Sequence, residues 1–230
     1  MTQIKMCGTT SRDDALAAVA AGADALGFVF FENSPRYVPP ETVREICAAL
    51  PPRVARVGVF VNEDPRTVRR IAAFCGLDFL QFHGDESEGY CRRFPRDVLL
   101  KAVWPSTEAD LVRICRYRVR AFVVDGRDPA RYGGTGRTAD WRLAAQIGRD
   151  HPVVLAGGLN PVNVAQAIRE VSPAAVDVAS GVEACPGRKD PRKMEAFVAR
   201  ARLEHGKSSE PLFTVASERT DVVWRRPCLG

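Results

Sequence analysis

Two side chains that each end an apolar run are candidates for acid–base chemistry. Cys7 closes the run IKMC at 4–7 before Gly8, and Asp125 closes AFVVD at 121–125 before Gly126. A thiol beside the backbone N–H groups of a glycine-containing loop can be shifted toward thiolate and act as a base or nucleophile. A carboxyl that is partly desolvated at a strand end can act as a general acid. Each also has a plainer interpretation, since a lone cysteine is most often buried filler and Asp-Gly is a common turn pair.

Two further side chains follow apolar runs and can contact a substrate. Arg36 lies in SPRYVPPE at 34–41, after the run at 25–31, and arginine can hold a carboxylate through two hydrogen bonds. His83 lies in QFHGDE at 81–86, directly after the run at 79–82. The alternatives are a solvated surface arginine and a histidine that only hydrogen-bonds a loop.

The elements that must position these residues are eight short apolar runs that alternate with helical patterns. The runs are continuous rather than alternating, which is typical of strands covered on both faces. They lie at 4–7, 25–31, 54–61, 79–82, 98–103, 121–125, 153–156 and 175–180. Between them, apolar residues recur with helical spacing, for example at Val43, Ile46 and Cys47, with weaker helices at 11–21, 86–94, 107–117 and 138–148. The pairs DP at 64–65, NP at 160–161 and DP at 190–191 predict helix starts.

Eight strand–helix units over about 200 residues predict a single-domain (β/α)8 barrel, a TIM barrel. A doubly wound open sheet is the competing fold, but the first strand is not followed by G-x-G-x-x-G spacing. In a barrel the carboxyl ends of all strands meet at one mouth, so Cys7 and Asp125 converge there. The glycine-bearing loops LAGGLNP at 155–161 and DVASGVE at 177–183 follow strands seven and eight, where barrels commonly bind phosphate.

Composition bounds the remaining possibilities for the 230-residue chain. A scattered net charge of +5 argues against a nucleic-acid groove and suits a small anionic substrate, and no apolar stretch is long enough for a membrane span. We therefore expect a cytoplasmic protein. Seven cysteines without metal-ligand spacing predict neither zinc nor a disulfide framework, and Cys47, Cys75 and Cys115 are expected in the core. The barrel is assigned to 1–205, and 206–230 is expected to be a mobile tail, with docking of Phe213 or Trp224 left open.

The motifs together resemble the N-(5'-phosphoribosyl)anthranilate isomerase family of tryptophan biosynthesis. The resemblance covers roughly residues 3–203 and is carried by IKMCGTT, GFVFFENSPRYV, LQFHGDE, VVDG, GGTGRTADW, LAGGLNPVNV and DVASGVEACPGRKDP. It implies an Amadori rearrangement, an aldose-to-ketose isomerisation, with Cys7 as general base and Asp125 as general acid. It implies no metal or redox cofactor, and as partner only a small phosphorylated anionic substrate. We expect a monomer or a homodimer that binds neither nucleic acid nor a membrane.

The same resemblance assigns the binding residues. It implies that Arg36 binds the anthranilate carboxylate and that the phosphate is surrounded by Gly157, Gly158, Asp177, Ser180 and Gly181. The GGTG segment at 133–136 is expected to fold over the ligand. The chain departs from the family pattern at Met6 and Thr9, and at Ala179, where a serine is usual.

Two rival functions stay open at this point. The related histidine-pathway isomerase performs the same rearrangement on a substrate with two phosphates, but its family has an aspartate where this chain has Cys7. A barrel that has lost catalysis and only binds phosphate is the second rival. Such a barrel would be expected to lose the acid or the base, and both residue types are present.

Overall fold

A computed structural model describes residues 1–126, 139–204 and 211–215. Eight parallel strands form a closed barrel in chain order, and β1 pairs with β8 to close it. The strands are β1 Gln3–Cys7, β2 Ala25–Val29, β3 Ala55–Phe60, β4 Phe79–Phe82, β5 Leu99–Val103, β6 Ala121–Val124, β7 Val153–Leu155 and β8 Ala175–Val178. The predicted TIM barrel is therefore confirmed.

Eight α-helices surround the barrel within the described residues. They are α1 Arg12–Ala21, α2 Pro40–Ala49, α3 Pro65–Cys75, α4 Glu88–Cys91, α5 Glu108–Ile114, α6 Trp141–Ile147, α7 Val164–Val171 and α8 Pro191–Arg202. Short 3-10 turns lie at Arg96–Val98 and Ser180–Val182, and a small antiparallel hairpin, β9 Glu183–Cys185 and β10 Arg188–Lys189, follows the second of them. No helix in these ranges is long and apolar enough to cross a bilayer.

The predicted caps are confirmed at two of three helix starts. Asp64 accepts hydrogen bonds from the backbone of Arg66 and Thr67, and Asp190 caps α8 in the same way. The third expectation is wrong, because α7 begins at Val164 rather than at Pro161. Asn160 instead folds its side chain over the turn and accepts from the N–H groups of Val162 and Asn163.

Three cysteines were predicted to be core, and two of them are. Cys47 and Cys75 are buried on the inner faces of α2 and α3, and burial raises the pKa of each thiol to about 12. Both therefore remain neutral thiols that fill space. Cys115 is exposed, because α5 ends at Ile114 and places the next residue in a solvent-facing turn. The prediction for Cys115 is wrong.

Part of the expected tail packs against the barrel. The side chains of Leu212 and Phe213 are buried among small residues and Phe79 at the amino-terminal end of the strands. Phe213 meets the Phe79 ring edge-on at 5.6 Å, and its backbone N–H donates to Oε1 of Gln3 at 2.7 Å. Arg120 Nε donates to the carbonyl of Leu212 at 2.8 Å. The expectation of a loose tail is corrected for residues 211–215, while Trp224 lies outside the described residues.

Removing the Phe213 ring is expected to lower stability without affecting the opposite end of the barrel. Phe213→Ala should cost about 3 kcal/mol, the range for a buried phenyl group, and lower Tm by roughly 6–12 °C for a domain of this size. Thermal unfolding followed by circular dichroism measures the change. Phe74→Ala is the control, since that ring is 40% exposed and should shift Tm little. An unchanged Tm for Phe213→Ala would contradict the docking.

Candidate active site

One cavity at the carboxyl end of the barrel collects the predicted site residues. Eight of the nine line it: Cys7, Arg36, His83, Asp125, Gly157, Gly158, Asp177 and Ser180. Gly181 does not line it. The cavity also contains side chains that the sequence did not single out, including Phe31, Val59 and Gln81. Residues far apart in the chain therefore share one mouth, as strand ends in a barrel must.

Cys7 ends β1 in a tightly packed and charged setting. The residue is only 9% exposed, and β2 presents Gly27 beside it, where a Cβ would lie 2.7 Å from Sγ. Burial raises the pKa of the thiol, while the ammonium groups of Lys5 and Lys189 oppose that rise and the carboxylate of Asp177 adds to it. The net shift of its pKa is upward, which favours the neutral thiol and opposes the shift toward thiolate that we expected from the neighbouring loop.

Gly8 follows Cys7 for a steric reason. Its φ of +73° lies in the left-handed region, and a Cβ there would lie 2.5 Å from Cδ of Arg36. Its N–H donates to the carbonyl of Gly27 at 2.9 Å, so the chain turns directly after the strand. Glycine at this position lets the Arg36 side chain pass close to Cys7.

Arg36 is held in a buried ion-pair network. Its Nε and Nη2 donate to the two carboxylate oxygens of Glu183 at 2.8 and 2.7 Å, and Lys189 Nζ lies 3.1 Å from the same carboxylate. Burial works against ionisation of Glu183, but the hydrogen bonds and charges of Arg36 and Lys189 outweigh it, and the pKa of Glu183 is below its usual value. Only Nη1 of Arg36 has no partner within the described residues. Sequence reasoning missed Glu183 and Lys189, although Glu183 ends the DVASGVE motif.

Asp125 lies at the end of a chain of polar side chains. Its Oδ2 is 3.2 Å from Nε2 of His83, and Nδ1 of His83 is 2.8 Å from the amide nitrogen of Gln81. With the amide donating to Nδ1, the ring carries its proton on Nε2 and donates to Asp125. The N–H of Gly126 donates to Oδ1 at 2.7 Å, and the carboxyl side chain is only 10% exposed. These hydrogen bonds fix the carboxyl group of Asp125 at the cavity wall.

The two glycine-bearing loops are pressed together at one end of the cavity. Gly157 and Gly158 have φ of +77° and +63°, and the Gly158 carbonyl accepts from the amide of Asn163 at 3.0 Å. A Cβ on Gly181 would lie 1.9 Å from the carbonyl oxygen of Leu159, so only glycine allows this contact. Gly181 thus joins the loops from behind the cavity wall.

Several backbone donors of these loops are unused. The N–H groups of Gly157, Gly158 and Ser180 donate to no atom of the described residues. Free N–H groups beside a cavity suit an anion with several acceptor oxygens. The segment at 133–136, expected to cover the ligand, lies outside the described residues.

Comparison with known proteins places the chain in a family. The family model for N-(5'-phosphoribosyl)anthranilate (PRA) isomerase matches residues 4–200. The chain belongs to the PRA isomerase family. A PRA isomerase relative from Syntrophus aciditrophicus (strain SB) is 51% identical over 227 residues, covering 96% of this chain and 99% of that relative. Another PRA isomerase relative, from Citrifermentans bemidjiense, is 50% identical over 202 residues, which cover 88% of this chain and 98% of that relative.

Solved structures of PRA isomerases share the fold of this chain. The Thermotoga maritima enzyme superposes with a TM-score of 0.82 at 44% identity, covering 89% of this chain and all of that one. A PRA isomerase complex with reduced 1-(o-carboxyphenylamino)-1-deoxyribulose 5-phosphate superposes with a TM-score of 0.79 at 42% identity, with the same coverage. The Thermotoga maritima enzyme is also described as dimeric. Whether this chain is a monomer or a homodimer stays a prediction.

Proposed function

We propose that this chain rearranges N-(5'-phosphoribosyl)anthranilate to 1-(o-carboxyphenylamino)-1-deoxyribulose 5-phosphate, an intramolecular oxidoreduction in tryptophan biosynthesis. The observation that carries the proposal is that Cys7 and Asp125, from opposite halves of the chain, line one cavity, which ends in backbone N–H groups that donate to no atom of the described residues. A thiol and a carboxyl group around a small sugar phosphate can remove one proton and supply another.

Asp125 acts first, as the general acid. Its carboxyl group gives a proton to the furanose ring oxygen, and the C1–O bond breaks as the lone pair of the anthranilate nitrogen forms a C1=N bond. The product of this step is an open-chain protonated imine. His83 holds Asp125 at the cavity wall while the ring opens.

Cys7 acts second, as the general base. The positively charged imine withdraws electrons from C2, so the thiolate of Cys7 can remove the C2 proton to give a neutral enolamine. Protonation at C1 and loss of the hydroxyl proton then yield the ketone. The electrons are accepted by the substrate's own nitrogen, so the chemistry calls for no metal or redox cofactor.

The binding groups follow the charges of the site. We place the phosphate against the N–H groups of Gly157, Gly158 and Ser180. We place the anthranilate carboxylate near Nη1 of Arg36, which has no partner among the described residues. Asp177 is removed from the phosphate set, because its carboxylate repels an anion and its Oδ2 binds Lys5 at 2.9 Å. Ala179 offers no hydroxyl, so backbone donors carry more of the phosphate contact there.

The assay that tests this function follows the loss of fluorescence of N-(5'-phosphoribosyl)anthranilate with purified protein. We expect saturable turnover with that substrate and none with the doubly phosphorylated substrate of the histidine pathway, because Cys7 stands where that family has aspartate. Binding of N-(5'-phosphoribosyl)anthranilate without turnover would instead support a non-catalytic barrel and contradict the proposal.

A further inference from the structure

A buried lysine lies under the reactive cysteine and has no part in the steps above. Lys5 is two residues before Cys7 on β1, so both side chains point to the same side of the strand, into the barrel. Lys5 is fully buried, and its Nζ is 2.9 Å from Oδ2 of Asp177, its register partner on β8. A charged side chain in the barrel interior is costly to bury and needs a compensating role or partner.

The described charged groups around Cys7 carry an excess of one positive charge. The cations that face it are Lys5 from β1, Lys189 from β10 and Arg36 from the loop after β2; the carboxylates are Asp177 from β8 and Glu183 from β9. Asp125 and His83 line the cavity from the ends of β6 and β4. Around the thiol itself, three cations therefore meet two carboxylates among the described residues. A thiolate at Cys7 would balance the cluster.

Asp177 is positioned to hold Lys5 without neutralising its effect on the sulfur. Oδ2 accepts from the ammonium group, while the buried Oδ1 has no hydrogen-bond partner within the described residues. One carboxylate oxygen thus fixes the ammonium group of Lys5 inside the barrel. The remaining donors of the ammonium group are free to turn toward the sulfur.

We propose that Lys5 is a positioning residue for the isomerisation: its ammonium group, anchored by Asp177, stabilises the Cys7 thiolate that removes the C2 proton. The inference rests on the proposed function. When the thiol ionises, its proton leaves to water through the open end of the cavity, and the sulfur keeps the electron pair beside a fixed positive charge. At short range in the protein interior, such a charge is much more effective than in water.

The protonation state of Lys5 agrees with this role. Burial alone would lower the pKa of its ammonium group, but the carboxylate of Asp177, joined by the sulfur of Cys7 once that is ionised, outweighs burial and raises the net pKa above the usual value. The upward shift of its pKa favours the protonated form of Lys5. It acts as a fixed charge rather than as a proton carrier.

Two substitutions that break the same ion pair should shift the Cys7 titration in opposite directions. Lys5→Met removes the cation and should raise the pKa of the thiol, whereas Asp177→Asn removes the anion and should lower it, each by about 1–3 units. The readout is the pH dependence of iodoacetamide labelling of Cys7, measured by mass spectrometry of its peptide. The acidic limb of kcat/KM should shift in the same direction as the thiol.

A matched control separates charge from structural damage. Lys101 is also buried, and its Nζ is 2.9 Å from Oε2 of Glu86. Lys101→Met should destabilise the fold to a similar degree but leave the pKa of the Cys7 thiol unchanged. If Lys5→Met fails to fold, the double variant Lys5→Met/Asp177→Asn removes both charges, and its thiol should still titrate above the wild-type value, since Lys5 influences Cys7 more than Asp177 does.

The outcomes distinguish this inference from the proposed function. If the pKa of the Cys7 thiol shifts in opposite directions in Lys5→Met and Asp177→Asn, and the acidic limb of kcat/KM shifts with it, both the role of Lys5 and the proposed function are supported. Thiol titrations that stay in place, or that move in the same direction in both single variants, would overturn the role of Lys5. If the pKa of the Cys7 thiol shifts but the acidic limb of kcat/KM stays in place, the role of Cys7 as the general base is contradicted instead.

Discussion

Cys7→Ala is expected to lower kcat by about 10²–10⁴-fold while leaving the protein folded. Among the described groups beside Cys7, Lys5 and Lys189 are held as donors to carboxylates and carbonyls, and the carboxylate of Asp177 is bound by Lys5, so we expect none of them to replace the thiolate efficiently. Alanine removes only one buried sulfur atom, so the cavity should still bind substrate. Steady-state kinetics give kcat and KM, and circular dichroism confirms the fold.

Cys91→Ala is the matched control for this prediction. Cys91 is also a buried thiol, 1% exposed, and burial raises its pKa to about 11, but it lies outside the cavity. Its removal should cost some stability and leave kcat unchanged. A folded Cys7→Ala protein with wild-type turnover would show that the proton is removed by another group.

Asp125→Asn is expected to lower kcat by a similar factor, about 10²–10⁴-fold, at nearly unchanged KM. The amide keeps the shape of the side chain, and its oxygen can still accept from Nε2 of His83, although its NH2 group then replaces the oxygen that accepts from the N–H of Gly126. What is lost is the proton for the ring oxygen. Without that proton the furanose stays closed, and the imine does not form.

An exposed aspartate provides the comparison for Asp125. Asp150 lies on the surface in the turn after α6, and Asp150→Asn should leave both kcat and KM at wild-type values. Stopped-flow or steady-state fluorescence with N-(5'-phosphoribosyl)anthranilate measures all variants under the same conditions. If Asp125→Asn turned over at the wild-type rate, another acid would have to open the ring.

The barrel could be predicted from the sequence because its pattern is local. Strands buried on both faces give continuous apolar runs, and several helices show an apolar stripe, as for Val164, Ala167 and Ile168 in α7. The hairpin of β9 and β10 could not be predicted, since its strands are three and two residues long and mostly polar. It is held by the long-range ion pair of Glu183 with Arg36 and by hydrogen bonds of Lys189 to Cys7 and Asp14 rather than by an apolar pattern.

The residues that line the site were easier to predict from the sequence than the ion pairs that those residues form. Strand ends mark which residues face the mouth, so Cys7 and Asp125 could be placed together. The partner of Arg36 could not, because Glu183 is 147 positions away in the chain. Lys5 likewise lies within an apolar run, and its pairing with Asp177 depends on the closure of β1 against β8.

The crystal structure of this chain bound to reduced 1-(o-carboxyphenylamino)-1-deoxyribulose 5-phosphate tests the central claim most directly. We expect Sγ of Cys7 and the carboxyl group of Asp125 both to contact the sugar part of the analogue, with the phosphate against Gly157, Gly158 and Ser180. An analogue whose sugar carbons lie beyond the reach of either side chain, or whose phosphate occupies another surface, would contradict the account.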